Sequence, residues 1–423
     1  MTIEFGLTDE FVNTKYAPLA ALAVRYQRNQ TLKPLEGVHI PMKTREFTPP
    51  AKLQQVLLSI LAGCVTLSEV NTKLQPEQDL AAVWQWERFA DQSCLSRTLD
   101  ALTLMNIDEL RKAVAFIWRA NGRTVHHDWR GYLWLDFDLS GLPCGKQAEK
   151  SQKGYFGEKN VTGRQLARVS AIEYRETIWS DLFAGNQHTV HCFQPAVLAA
   201  ETALELAPAQ RKRTVWRMDG GAGTDEQLCW VLARGYHVMA KGLSNRRANA
   251  LARQVCRWDA YDDIWLGEVA PPIDYGRPVR VFVKRRLKND KLHHSYYVSS
   301  LSLPSKGHFR ALYDDRGGAE VEQFRNDKSG LGLAARRKRD FLAQKGFVLL
   351  TDLAHNLLAD FHHRALVGTQ FETYGPKRIV RDLLAMEGQL VFEAGELKCI
   401  ELLSLNQNAR DLLICLEKYC LGD

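Results

Sequence analysis

The sequence predicts an α/β fold with a helical N-terminal domain, and three observations carry that expectation. Apolar residues recur at helical spacing from Leu53 to Trp118. At Gly131 the period switches to two, and strands then alternate with helices to about residue 241. A block of short, Val- and Tyr-rich alternating segments follows at 245–305. The chain has 423 residues, room for two to four domains at roughly 100–200 residues each.

The first ~45 residues read as irregular. After Pro49-Pro50, Leu53, Val56, Leu57, Ile60, Leu61 and Cys64 form one helical stripe, and further helices are expected around 78–90, 93–104 and 107–120. The run FADQSCLSRTLDAL at 89–102 predicts a helix end near Ala90, a turn, and a helix opening at Ser93 that presents Gln92, Ser96, Arg97 and Asp100. Helix-turn-helix DNA readers have this form, and so do helical hairpins of ordinary bundles. GYLWLDFDLSG alternates, with Leu133, Leu135, Phe137 and Leu139 on one face and Tyr132, Trp134, Asp136 and Asp138 on the other. Strands at ~166–174 and ~177–184, a helix over 194–207, and a strand RTVWRMD ending at Asp219 come next. Gly220, Gly221 and Gly223 make a turn, Thr224-x-x-Gln227 is a capping box, and another strand lies at ~236–241. This order predicts helices packed on one mixed sheet. IWLGEV, RPVRVFVKRRL and HHSYYVSSL read as antiparallel strands; helices resume at Ala311, and short strands and a helix near 406–420 close the chain.

Lys plus Arg is 56 and Asp plus Glu 49, a net charge of +7 that permits a nucleic-acid partner without demanding one. Hydrophobic residues are 45% and charged residues 25%, which excludes a disordered or collagen-like chain. No apolar run reaches the roughly 18 residues of a spanning helix, and the acidic opening MTIEFGLTDEF does not read as a signal peptide. Nine cysteines without a C-x-x-C, and paired histidines without a second ligand at zinc spacing, argue for reduced thiols, no zinc cage and a cytoplasmic location. Basic residues cluster at Lys284, Arg285, Arg286, Lys288 and Lys291, at Arg336, Arg337, Lys338 and Arg339, and at Arg246 and Arg247. Such clusters supply sequence-independent affinity for phosphates, although part of any charge run is simply solvated.

Three acids stand out by placement: Asp138 late on the first strand, Asp219 at a strand end before glycines, and Glu320 in the first turn of a helix, after YDDRGGA. Carboxylates from separated strand ends and a helix suit Mg²⁺, which takes few protein oxygens and leaves room for phosphate and water. Two such ions roughly 3.5–4 Å apart serve phosphodiester chemistry. Turn chemistry and helix-dipole preference also place acids at such positions.

Taken together, LDFDLSG, RMDGGAGTDEQLCWVLARGYHVMAKG and YDDRGGAEVEQFRNDKSGLGL resemble the DDE transposases of bacterial insertion sequences over about 131–360. The nearest likeness is to the insertion sequence 1380 group, in the branch marked Y-x-x-R-x-x-x-E, here Tyr313, Arg316 and Glu320. The second-Asp block corresponds to Asp219, Gly221 and Lys241, and the first to Asp138-Leu139-Ser140. Asp136 competes with Asp138 on the same strand face, and Glu322 with Glu320. The family's Lys seven residues after the Glu is Asp327 here, with Lys328 one position on.

The resemblance implies an RNase H-like catalytic core at 126–244 and 306–370, a β-rich insertion at 245–305, a helical DNA-binding domain at 1–125 and a C-terminal region at 371–423. It implies Asp138, Asp219 and Glu320 as catalytic metal ligands for two Mg²⁺ ions, with Mn²⁺ substituting. It implies double-stranded DNA as partner, both terminal inverted repeats and target, a homodimer in the synaptic complex, and a bacterial, nucleoid-associated setting. Lys241, Arg316, Tyr313, Lys328, Arg285, Arg286, Arg336, Arg337 and Arg97 are the expected DNA-binding residues. Trp258 and Trp265 are expected to stack on a base, as aromatics of the relatives' insertion do, or else to form the core of a small sheet. Two other readings stay open: a non-catalytic DNA-binding descendant, or a metal-dependent nuclease without strand transfer.

Overall fold

The alternating segment after Gly131 forms an eleven-residue strand, β1 (Leu133–Pro143), at the heart of a mixed sheet. The computed structural model describes residues 3–154, 156 and 161–422, apart from the side chains of 317–323. By internal contacts the chain divides into two units. One is Thr124–Lys146 with Lys150–Glu322; the other is Met1–Arg123, Gln147–Glu149 and Gln323–Asp423.

The first unit holds the sheet. After β1 come β2 (Thr162–Ala171), β3 (Glu176–Ala184), α1 (Thr189–Leu204), β4 (Thr214–Met218), α2 (Asp225–Ala233) and β5 (His237–Lys241). Then follow α3 (Asn245–Ala252), β6 (Asp259–Tyr261), β7 (Ile264–Val269), β8 (Arg280–Lys288), β9 (Lys291–Ser299) and α4 (Lys306–Gly330), the last crossing the unit division. With the two-residue strand Gln152–Lys153 paired to β2, the sheet has ten strands. β3, β2 and β1 are antiparallel neighbours, while β1, β4 and β5 run parallel. The parallel steps follow from the chemistry of the connections, because α1 and α2 carry the chain back across the sheet. The strands of the 245–305 block then pair antiparallel onto β5 in the order β9, β8, β7, β6.

The expected two-faced pattern of β1 is observed. Leu133, Leu135 and Phe137 are fully buried, and Phe137 meets Phe193 of α1 edge-on at 5.1 Å between centroids. Phe193 in turn meets Trp216 of β4 at 5.9 Å. The opposite face carries Trp134, Asp136 and Asp138. Val215, Met239, Phe282 and Tyr297 of this face pack with Phe309 of α4, and Leu312 and Tyr313 join them. Phe309 stacks on Phe282 at 4.3 Å. Each such fully buried apolar side chain contributes about 1.5–3 kcal/mol, so the start of α4 is fixed against the sheet.

In the second unit, the helix Phe341–Phe361 is buried without a break from Gly346 onward. A helix apolar nearly all round must be covered on all sides, and helices Pro49–Leu61, Gln92–Asp100 and Leu104–Asn121 cover it. The unit division falls at 322/323, so residues 323–361 belong with the N-terminal helices in one unit. Arg336 ties this packing down: its guanidinium donates to Ser59 Oγ at 2.7 Å, Ser59 O at 3.0 Å and the carbonyl of Cys64. The first 45 residues are more regular than expected. They include a strand, Glu4–Thr8, parallel to Glu396–Leu403, and an Ala-rich buried helix, Ala17–Arg28.

Candidate active site

The register of the parallel strands builds the site. Asp136 pairs with Arg217 and Phe137 with Met218, so one residue further on Asp138 and Asp219 stand side by side. Arg217 pairs with Met239 and Met218 with Ala240, which sets Lys241 beside Asp219. Continued one residue past its last pairs, this register puts Asp138, Lys241 and, just beyond the end of β4, Asp219 on one rung of strands about 4.8 Å apart. The rung lies at the carboxyl ends of β4 and β5, where open α/β sheets bind ligands, and midway along β1, which runs on to Pro143.

The rung below it is a closed ion pair. Arg217 donates from Nε and Nη2 to the two Asp136 oxygens, each at 2.8 Å, and from Nη1 to the Leu312 carbonyl at 2.8 Å. The side chains of Arg217 and Asp136 are 5% and 3% exposed. Arg217 also lies over the Trp134 ring at 5.0 Å. Burial pushes the Asp136 carboxyl up, while the guanidinium of Arg217 and the charge of Arg316 oppose that push. Both Asp136 oxygens are engaged by Arg217, whereas Asp138 is only half-buried.

Local chemistry holds Asp219 in place. Its Oδ1 accepts from the Gly221 amide at 2.8 Å, an Asx turn. The following glycines are required by space. A Cβ on Gly223 would sit 1.8 Å from the Lys241 carbonyl oxygen, and one on Gly221 would sit 2.6 Å from Thr189 Oγ1. The Tyr313 hydroxyl donates to the Met218 carbonyl at 3.2 Å, bracing the strand end from the helix above. Arg316, one turn further along α4, is buried. Glu320 continues the same helix, but its side chain and that of Glu322 lie outside the described residues.

A residue the sequence reading passed over flanks this rung. Arg168 of β2 pairs in register with Asp138, is 1% exposed, and donates from Nε to Ser180 Oγ at 3.1 Å. An arginine inside the apolar alternation of QLARVSA was the available signal. Among the described residues Lys241 makes no ion pair.

The other expected contacts fall in several environments. In the 245–305 block Arg285 is sandwiched, its guanidinium 4.4 Å from the Trp258 ring centre and 5.0 Å from that of Trp265. Arg286 pairs with Asp263 at 2.8 Å on the surface. In the helical unit Arg336 is 3% exposed and committed to Ser59 and Cys64, and burial pushes it down to about 10. Arg337 is exposed. Lys328 lies 5.7 Å from the Phe324 ring centre. Asp327 is fully buried against His355 Nδ1 at 2.8 Å. Arg97 is exposed on its helix, while Ser96 and Asp100 of that helix accept from Lys338 at 2.6 and 2.8 Å.

Among the described residues there is no cluster of three or more His, Cys, Asp or Glu side chains able to hold a metal ion. The Asp138–Asp219 pair nonetheless fits Mg²⁺, which is commonly held by one or two carboxylates and completed by substrate phosphate and water. No helix among the described residues is long and apolar enough to cross a membrane.

The comparison with family models places this α/β sheet and its two acids in a known class of proteins. Residues 129–357 match the transposase DDE domain, more than half of the chain, and the protein belongs to that family. Among solved structures it is similar to the piggyBac transposase in a synaptic complex with hairpin DNA. The identity is 10% and the TM-score 0.49, over 88% of this chain and 80% of that one. No curated protein matches the chain.

Proposed function

We propose that the protein is a DNA transposase of the insertion sequence 1380 type, cleaving at the ends of its element and joining the 3′ ends to target DNA. The observation that carries this reading is the shared rung of Asp138 and Asp219, lying within the segment that matches the DDE domain. In this reading Asp138, Asp219 and Glu320 hold Mg²⁺, or Mn²⁺ in its place, on an RNase H-like core. The bound cation supplies positive charge at the scissile phosphate and lowers the pKa of attacking water.

The chain's own residues do the rest. The Arg217–Asp136 pair fixes the register of β1 on β4, and therefore the separation of the two acids. Tyr313 and the Gly221 amide orient the Asp219 turn. Lys241 and Arg316 hold the non-bridging phosphate oxygens, and Arg168 steadies Asp138 from the opposite side. Trp258 and Trp265 offer faces to an unpaired base once Arg285 withdraws, so Arg285 acts as a placeholder between them. Arg286, Arg337, Lys328 and Arg97 contribute backbone contacts to double-stranded terminal repeats and target DNA. The chain works as a homodimer that pairs two ends.

The test is a strand-transfer assay on labelled element ends with Mg²⁺, comparing wild type with Asp138→Ala, Asp219→Ala and Glu320→Ala. Loss of joining in all three with retained end binding is expected. Variants that join ends as wild type does would remove the site assignment, and a wild type that only nicks would make the protein a nuclease.

A further inference from the structure

The helical unit contains a pocket of about 490 Å³ that the catalytic reading does not use. Lys52 lines it and is 4% exposed. Among the described residues its ammonium's hydrogen-bond partner is the Met42 thioether sulfur, at 3.9 Å. Lys52 also stands in the first turn of helix Pro49–Leu61, the end at which the helix dipole disfavours a cation. A buried ammonium without a counter-charge is costly, so three unfavourable circumstances converge on one side chain.

The surroundings add further positive charge. Lys43, Arg45 and Arg97 are exposed around the same pocket, and none of them makes an ion pair among the described residues. The two acids present are already engaged. Glu46 takes a two-pronged contact from Arg88 at 2.7 and 2.8 Å. Asp91 caps helix Gln92–Asp100 through the Cys94 amide at 2.7 Å and accepts from Ser93 Oγ at 2.6 Å.

We infer that this pocket is a phosphate-binding site, with Lys52 as its floor and Lys43, Arg45 and Arg97 at its rim. Guanidinium forks beside an ammonium suit the several oxygens of a phosphate better than any neutral ligand. The phosphate belongs either to a DNA backbone or to a free phosphate compound; only the first source rests on the transposase reading. Asp91 and Cys94 at the opening of helix Gln92–Asp100, the one read as a possible DNA reader, also line the pocket, so a backbone phosphate seated there would fix that helix on the duplex.

The experiment uses the full chain, without added metal, and the variants Lys52→Met and Arg97→Gln. Inorganic phosphate is titrated against thermal unfolding, and binding to a duplex of the element end is measured from 50 to 300 mM salt. Phosphate should raise the wild-type Tm by several degrees and shift the variants much less. Lys52→Met keeps the buried stem and removes the charge, so it should fold at least as stably as wild type. If the phosphate comes from DNA, the slope of log affinity against log salt should fall by about one in each variant. Protection by phosphate with unchanged slopes would support the site and assign it to a free phosphate. Equal protection of wild type and both variants, with unchanged slopes, would overturn the proposal. Joining activity of the Asp219 variants does not enter this readout, so the catalytic reading stands or falls separately.

Discussion

Asp136→Asn and Asp138→Asn differ by two positions on one strand face, yet they should behave oppositely. Asp136 accepts both of its hydrogen bonds from Arg217, and the pair is nearly solvent-free. An amide there loses the charge and presents one oxygen where two were used. The guanidinium is then left buried with one amide oxygen and the Leu312 carbonyl, and without its counter-charge. Removing one partner of such a pair costs about 3–5 kcal/mol. At roughly 2–4 °C per kcal/mol for a unit of this size, the Tm should fall by roughly 6–20 °C. Asp138→Asn should abolish strand cleavage, with a smaller fall in Tm than Asp136→Asn, since Asp138 is half-buried where Asp136 is almost wholly buried. The double variant Asp136→Asn/Arg217→Met should regain much of the lost stability, because neither charge is then stranded. Differential scanning fluorimetry and single-turnover cleavage read both effects. An Asp136→Asn protein that melts with wild type, or an Asp138→Asn protein that cleaves normally, would refute this division of roles.

Other outcomes follow from the same geometry. Gly223→Ala places a methyl against the Lys241 carbonyl; it should cost about 1–3 kcal/mol by chemical denaturation, with a larger loss of joining than the instability explains. Burial pushes the Cys64 thiol up to about 11 and those of Cys192 and Cys420 up to about 12. The unfolded chain releases these protons near pH 8.5, so the native state is the more protonated one above that pH. Stability should therefore be full below about pH 8.5 and fall toward pH 11 by up to about 1.4 kcal/mol per unit per thiol, as denaturation at pH 8 and 10 can show. In native protein at pH 8, iodoacetamide should label exposed Cys256 and spare these three. Chelation with EDTA should abolish cleavage and leave end binding measurable by gel shift.

Much of the sheet was legible because its signals are local. Alternation in β1, the strand ending at Asp219 and the Thr224 cap each occupy a few consecutive residues. What the sequence withheld depends on pairing between distant segments. Asp136 and Asp138 are equivalent by period two, and only the register with β4 shows that one of them faces Arg217. Arg336 reads in the sequence as part of a basic run facing DNA; the carbonyls that engage it come from Ser59 and Cys64, far off in the chain. The helix Ala17–Arg28 went unread because Ala carries a weak periodic signal, and the strand Glu4–Thr8 because its partner lies near residue 400. Lys52 sits at the edge of an apolar stripe, where a lysine ordinarily reaches water.

The way the 245–305 strands attach has a consequence for how this protein can be shortened or rebuilt. β9 takes the free edge of β5, pairing Tyr297 with Lys241, so the block is sewn into the sheet rather than hung from it. Excising it would uncover the backbone of β5 along the edge that carries Lys241, and a bare strand edge invites pairing with another chain. A trimmed descendant would have to evolve a new edge cover before it could stay monodisperse. The block also cannot swing independently, since any tilt must shear hydrogen bonds one strand away from Asp219. Motion at the far hairpin is thereby transmitted to the acids as twist of a single sheet.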